Sequence, residues 1–363
     1  LKIERLLDVA PGENNQRNSE GAFLSLSDGR IAWIYSRYRG TSANDHAYAE
    51  IAAIFWDGSD FSGPVILARP DAAAGETNYM SVSALRLKDG SAAIFYLIKY
   101  GSSASAYVMR RSTDELTTLG DPVSVLNPLY PAYYVVNNDR VLRASDGRLI
   151  APASWTASVM NYRGQGEHVW WKGKAVFYES RDDGASWRQL SDFLSIPGGA
   201  HCRSGLQEPG LYELPGGVLC AYFRTDLGRQ YESFSADGGA TWSDPQPSAF
   251  TSPCSPMLIK RNPYSGKYFA VWNPTPESPF RYLGTEKPTV WTGGRTPLVM
   301  AFSDDGISFT DSQVIEDDPL GGFCYPALHF TGPDGFLLSY CAGSGATGDG
   351  GCLVRSRIVR GKL

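Results

Sequence analysis

Two short motifs alternate along this chain, and together they leave little choice of fold. The first is a turn pair followed by an apolar run. It occurs six times, at Asp28-Gly29, Asp89-Gly90, Asp146-Gly147, Gly216-Gly217, Ser265-Gly266 and Asp334-Gly335, at intervals of 49 to 70 residues. Strand-like stretches flank each pair, as GAFLSLS and RIAWIYSRY flank the first, so the pairs read as the turns of six β-hairpins. The second motif is S-x-D-x-G-x-[ST]-W, complete at Ser180–Trp187 and Ser235–Trp242. Degraded copies stand at Ser112-Thr-Asp114, at Ser303–Phe309 and at Trp56-Asp57-Gly58. In such a box the Asp side chain bonds the turn backbone, Gly takes the strained position, and Trp packs between neighbouring units. A hairpin followed by a second hairpin closed by the box is a four-stranded unit of about sixty residues. Six units in a ring make an all-β, six-bladed β-propeller with four-stranded antiparallel blades. The N-terminal KIERLLDV and C-terminal CLVRSRIV segments are expected to close the ring by sharing the last blade.

Length alone, 363 residues, would suggest two domains; the repeat predicts one propeller domain over 1–363 instead. A net charge of −5 with no Lys/Arg block argues against a nucleic-acid partner. No apolar run approaches the ~18 residues of a membrane helix, so membrane insertion is not expected. The six cysteines form no CxxC pair, which argues against structural zinc, and several lie in apolar runs where buried thiols are expected. No metal-ligand spacing and no Gly-rich phosphate loop appears, so no cofactor is expected. No signal peptide is visible, but the chain begins with Leu1, and a periplasmic or secreted location is favoured. The expected assembly is a monomer or a weak oligomer.

The propeller topology locates a site before any motif is matched. Inner strands turn at the hairpins on one face, and the box turns lie on that same side. Residues that begin first strands, end second strands or fill the second-to-third strand loops share the opposite face, where ligands of such rings bind near the axis. That face collects Glu20, Asn138, Arg140 and Glu208 where first strands begin, and Arg37, Lys99 and Arg224 where second strands end. The loops add Asp45, His46, His168, His201 and Arg203, and Arg295 opens a third strand. Glu20, Glu208, Arg140 and Arg224 flank apolar inner strands, where a buried charge is costly unless paired or functional.

The alternating boxes, their spacing and this distribution resemble the sialidase (neuraminidase) superfamily of six-bladed propellers over nearly the whole chain. The resemblance implies roles for particular residues. The segment Arg39–His46 is similar to the loop bearing the family's acid/base aspartate, which makes Asp45 that residue. Glu208-Pro-Gly-Leu-Tyr-Glu is similar to the strand whose glutamate activates the nucleophile. Arg224 and Arg295-Thr-Pro-Leu match the second and third arginines of the substrate-binding triad. Cys324-Tyr325-Pro-Ala-Leu resembles the segment of the nucleophilic tyrosine. At the first triad arginine the chain departs: Ser19 or Glu20 falls there, with Arg17 the nearest alternative, so strict sialidase activity is not expected.

The resemblance implies an exo-acting glycoside hydrolase on a terminal sugar of a glycan, with Asp45, Glu208 and Tyr325 catalytic. Glu20, Arg37, His46, Asn138, Arg140, His201, Arg203, Arg224 and Arg295 are then the substrate-binding candidates. Two other readings fit the residues. A polysaccharide lyase would pair His46, His168 or His201 with a tyrosine to abstract the proton beside a uronate carboxyl, with an arginine neutralising it. A non-catalytic carbohydrate-binding propeller is the third, because fold alone does not imply activity.

Overall fold

The turn pairs and the complete boxes fold into blades set around an axis, as the sequence predicts. The computed structural model describes residues 1–126, 132–156, 158–160, 167–169, 172–197, 202–275, 294–349 and 351–363. From the axis outward, blade 1 consists of Asn15–Ser25, Ile31–Arg39, Ala49–Trp56 and Val65–Ala68. Blade 2 consists of Asn78–Arg86, Ala92–Lys99, Ser105–Ser112 and Val123–Ser124. In blade 3 the inner position is divided between Tyr133–Val135 and Leu142–Arg143, followed by Leu149–Thr156, Lys174–Ser180 and Arg188–Gln189. A short antiparallel pair, Ser158–Met160 with Glu167–Val169, lies between its second and third strands. Blade 4 is Gln207–Glu213, Leu219–Arg224, Arg229–Ser235 and Gln246–Thr251; blade 5 is Leu258–Arg261, Tyr268–Trp272, Leu298–Ser303 and Thr310–Glu316.

Blade 6 closes the ring. Its strands Gly321–Phe330, Gly335–Ser344 and Ser356–Lys362 are completed on the outside by Lys2–Val9, which pairs antiparallel with Ser356–Lys362 from Lys2↔Lys362 to Val9↔Ser356. The two ends of the chain therefore share one blade, as expected.

Because each sheet buries both faces against its neighbours, the core is divided among the blade interfaces. Among the described residues each adjacent pair of blades encloses one of six apolar clusters, and a seventh, of Cys324, Cys341 and Cys352, lies within blade 6. Trp33 shows how the last interface is sealed: it is 1% exposed, and its Nε1 donates to Ser339 Oγ of blade 6 at 2.9 Å.

The boxes behave as the chemistry of their residues requires. In the box at Ser235, Asp237 Oδ1 accepts from Ser235 Oγ (2.8 Å) and from the Thr241 N–H (2.9 Å), while Trp242 stacks on Phe177 of blade 3 at 4.6 Å. Asp182 repeats the pattern, and Trp187 meets Phe95 of blade 2 edge-on. The degraded copy at Asp114 keeps the full hydrogen-bond set, with Leu116 at φ +71° where the complete boxes have Gly. Asp57 only caps its own turn, through the N–H groups of Ser59 and Asp60. One hairpin differs from expectation. The left-handed glycines of the other five turns lie between φ +78° and +89°, whereas Gly335 already belongs to a strand and the turn falls over the residues before it.

Candidate active site

Inner strands should be regular, yet in five blades the inner segment contains a non-glycine residue in the left-handed region. These are Glu20 (φ +57°), Ser81 (+61°), Asp139 (+55°), Glu208 (+44°) and Tyr325 (+55°). Register shifts at Ser19/Ala22, Met80/Ser83, Gln207/Gly210 and Cys324/Ala327 show that four of them are β-bulges. A left-handed non-glycine residue costs about 1–3 kcal/mol and persists only where its surroundings enforce it. What the bulge achieves is re-aiming a side chain. Glu20, Ser81, Glu208 and Tyr325 all line one cavity of about 350 Å3 on the face opposite the hairpin turns, together with Asp45, Lys99, Arg224 and Arg295. Asp139 turns elsewhere, accepting from Lys260 Nζ at 2.8 Å and from the Leu328 N–H at 2.9 Å.

Tyr325 donates its hydroxyl proton to Glu208 Oε1 at 3.0 Å, and Arg224 Nη1 donates to the same oxygen at 2.8 Å. Glu208 Oε2 is buried without a partner, so the carboxylate keeps capacity to accept. Burial pushes the Tyr325 phenol well above its ordinary pKa and the Glu208 charge adds to this, while Arg224 and Arg295 pull it down. The phenol is thus protonated at rest, with a carboxylate placed to take its proton. Behind it, Asn138 Nδ2 donates to Tyr325 O (3.2 Å) and Gly21 O (2.8 Å), tying the inner segments of blades 1, 3 and 6 together at the axis.

Asp45 lies in the loop between the second and third strands of blade 1, and its side chain is 54% exposed. Arg17 Nη1 donates to its Oδ1, and Lys99 Nζ donates to its backbone carbonyl at 2.7 Å. Although burial opposes it, Arg17 and then Lys99 bring the Asp45 carboxyl down to about 2. Lys99 is itself desolvated, which lowers its ammonium to about 8 against the pull of Asp45 and Glu20. Arg17 does not reach the cavity. Its guanidinium also donates to Glu20 Oε1 (2.6 Å) and Ser19 Oγ (2.8 Å) and lies over the Tyr38 ring at 4.5 Å. Glu20 in turn accepts from Ser81 Oγ at 2.6 Å, and burial raises its pKa against the opposing influence of Arg17.

Arg295 is the complementary case. It is buried, yet its partners among the described residues are the thiols of Cys324 (3.2 Å) and Cys352 (3.7 Å) and the face of Tyr325, and its Nε has no partner. Burial pushes the Cys324 thiol up to about 12, so it stays neutral, and among the described residues no carboxylate pairs with the guanidinium. All six cysteines are free thiols. Among the described residues no group of three or more His, Cys, Asp or Glu side chains is arranged to hold a metal ion.

The structure therefore brings Asp45, Glu208, Tyr325, Glu20, Arg224 and Arg295 into one cavity and separates others from it. Arg37 pairs with Glu50 at 3.0 Å and lines a different depression beside Leu7 and Asp8. Arg140 lines a second cavity on the hairpin face, because its side chain follows the inner strand toward Tyr222 rather than back toward Asn138. Arg203 is exposed, with its N–H donating to Asp226 at 2.9 Å. His46 meets Tyr133 edge-on at 6.2 Å, behind that residue's cavity wall. His201 and the side chain of His168 lie outside the described residues. Sequence reasoning missed Ser81, whose only signal was its place in the first strand of blade 2. Lys99 stood on the expected face but had no motif to single it out.

A six-bladed ring with a tyrosine, a glutamate and two arginines converging on one face has the sialidase-like fold. The chain belongs to the BNR repeat-like domain family, which matches residues 33–337. An intramolecular trans-sialidase from Ruminococcus gnavus, solved with oseltamivir carboxylate, superposes with a TM-score of 0.69 at 13% identity, covering 99% of this chain and 97% of that one. The NanB sialidase of Streptococcus pneumoniae gives 0.69 at 11% identity, over 99% of this chain and 70% of the other. A protein of unknown function from Dyadobacter fermentans gives 0.68 at 15% identity, with 99% of both chains covered. At these identities the likeness is one of fold. No curated protein matches the sequence.

Proposed function

We propose that this protein is an exo-acting glycoside hydrolase that removes a terminal sugar from a glycan through a tyrosine nucleophile. The observation that carries this reading is the hydrogen bond from Tyr325 to Glu208 within a cavity that Asp45 also lines. A phenol of pKa ~10 is a poor nucleophile unless a neighbouring base takes its proton. In the first step Tyr325 Oη bonds to the anomeric carbon, its proton passes to Glu208, and the glycosidic oxygen departs with a proton from Asp45. In the second, Asp45 takes a proton from water, the water oxygen displaces Tyr325, and Glu208 returns the proton to the phenol. Two displacements at one carbon retain its configuration; tyrosine-nucleophile glycosidases are a recognised departure from the two-carboxylate scheme. Arg224 holds Glu208 in line, and Arg295 offers a fork to an anionic or hydroxyl-rich part of the sugar.

Cavity size supports exo action: about 350 Å3 lies at the low end of ligand pockets and suits one sugar unit rather than an extended chain. Glu20 in the wall, with Arg17 sequestered behind it, argues against strict sialidase activity, since a carboxylate there repels an acidic sugar. The lyase reading needs a histidine–tyrosine pair around an arginine with Glu208 turned away, and Glu208 instead faces Tyr325. A screen of aryl glycosides and uronate-containing polysaccharides tests the proposal. Release of aglycone supports it, whereas an unsaturated product absorbing in the ultraviolet, or full activity in Tyr325→Phe, overturns it.

A further inference from the structure

Arg140 is left over by the catalytic site and has an environment of its own. A cavity of about 530 Å3 opens on the hairpin face among the inner strands of blades 3, 4 and 5, and it shares no lining residue with the catalytic cavity. Arg140 lines it and is 3% exposed. Nη1 donates to Tyr222 Oη at 3.1 Å, Nη2 donates to the Met257 carbonyl, and the guanidinium lies 5.4 Å from the centre of the Tyr222 ring. Its Nε has no partner, and no carboxylate pairs with it among the described residues. A buried cation held only by neutral groups is a costly arrangement, and an anion drawn from solution would relieve it.

Cations outnumber carboxylates in the lining as a whole. Four cationic side chains, Arg140, Arg143, Lys260 and Arg261, face two carboxylates, Asp139 and Glu213. Lys260 is neutralised by Asp139 at 2.8 Å, and Arg143 by Asp183, outside the cavity, at 2.8 Å. Glu213 accepts from the Ser145 N–H (2.7 Å) and Oγ (2.6 Å). Among the described residues Arg261 donates only to the Gly266 carbonyl, at 3.2 Å, so two guanidinium groups in one cavity lack a carboxylate partner there. Planar forks of this kind recognise oxyanions, and the walls between them include the rings of Tyr212 and Tyr222.

We propose that this cavity is a second binding site, for a small ligand carrying an oxyanion, held by Arg140 and Arg261. Carboxylate, sulfate and phosphate share the required chemistry, and two titrations separate an inorganic source from an acidic sugar. The full chain is titrated calorimetrically with sodium sulfate and with sodium glucuronate, ionic strength being held constant with sodium chloride. Saturable binding of one equivalent of either anion is expected. Sulfate alone marks an inorganic ligand, and tighter glucuronate marks an acidic sugar. Arg261→Gln, at an exposed position, should weaken it about tenfold, the effect of losing one charge-assisted contact. Arg140→Lys should weaken it similarly, and Arg295→Gln, in the other cavity, should leave it unchanged. Crystals soaked in selenate should show anomalous density between Arg140 and Arg261. No saturable binding of either anion, binding indifferent to Arg261→Gln, or binding abolished by Arg295→Gln overturns the proposal.

Discussion

Arg17 couples Glu20 to Asp45: a guanidinium only 1% exposed donates to both carboxylates, one nearly buried in the cavity wall and the other half open to solvent. The proposed acid is therefore held ionised at rest, at about 2, by a cation that substrate cannot reach. For Asp45 to protonate a leaving oxygen, it must first gain a proton against Arg17 and Lys99.

A pH profile follows from that arrangement. An acid must be protonated to act, so kcat/KM should fall as pH rises above its pKa. Lys99→Met removes one of the two cations holding Asp45 down, so the falling limb should move to higher pH, by roughly one unit. Rates on an aryl glycoside across pH 1.5 to 6 measure it; an unmoved limb rules out Asp45 as the acid.

The nearly buried half of the same pair predicts a stability effect. Arg17→Met leaves the Glu20 carboxylate buried with Ser81 as its remaining partner, and unpairing a buried ion costs about 3–5 kcal/mol. Replacing Glu20 as well, in Arg17→Met/Glu20→Gln, removes the uncompensated charge and should recover much of the loss. Urea unfolding of the three proteins compares them. A double variant no more stable than Arg17→Met would mean that packing against Tyr38, rather than charge, holds Arg17 in place.

Glu208 is argued to act by taking the Tyr325 proton, so Glu208→Gln should lower kcat by about 10²–10⁴, the usual contribution of a general base. Its neutral amide still accepts from Tyr325 and still packs beside Arg224, so KM should change far less. Steady-state kinetics separate the two parameters. Loss confined to KM would make Glu208 a binding group.

The ring was legible because its punctuation is chemical: Asp-Gly pairs and the Ser–Asp–Gly–Trp boxes need specific side chains in specific turns, and those turns recur. The Tyr325, Glu208 and Asp45 positions were legible through their neighbours in sequence, and the structure groups them in one cavity. What stayed hidden was side-chain direction. Arg140 and Asn138 are two residues apart in one inner segment, but a left-handed residue between them, Asp139, sends one toward the hairpin face and leaves the other at the axis behind Tyr325. The Asn137-Asn138-Asp139 run tolerates a left-handed residue but does not say which of the three adopts it. Arg17 was hidden for a related reason: the bulge at Glu20 turns the glutamate into the cavity and leaves the arginine behind it.

The boxes predict how the ring responds to acid. Hydrogen bonds from Thr241, first through its hydroxyl and then through its N–H, hold the Asp237 carboxyl below the ordinary 3.8, with Ser235 adding to the effect. Hydrogen bonding lowers Asp182, Asp114 and Asp305 in the same way. A carboxyl depressed in the folded state binds fewer protons there than in the unfolded chain. Its stabilisation is full above the unfolded pKa and is lost as pH falls through the folded one. The thermal midpoint should accordingly hold near neutrality and decline steadily below about pH 4, as each box is protonated. Asp237→Asn keeps an oxygen to accept from Thr241 but carries no charge, so its midpoint should lie below the parent's at pH 7 and converge on it toward pH 2. Thermal melts at half-unit steps would show this, and parallel curves over the whole range would mean that the boxes contribute through shape alone.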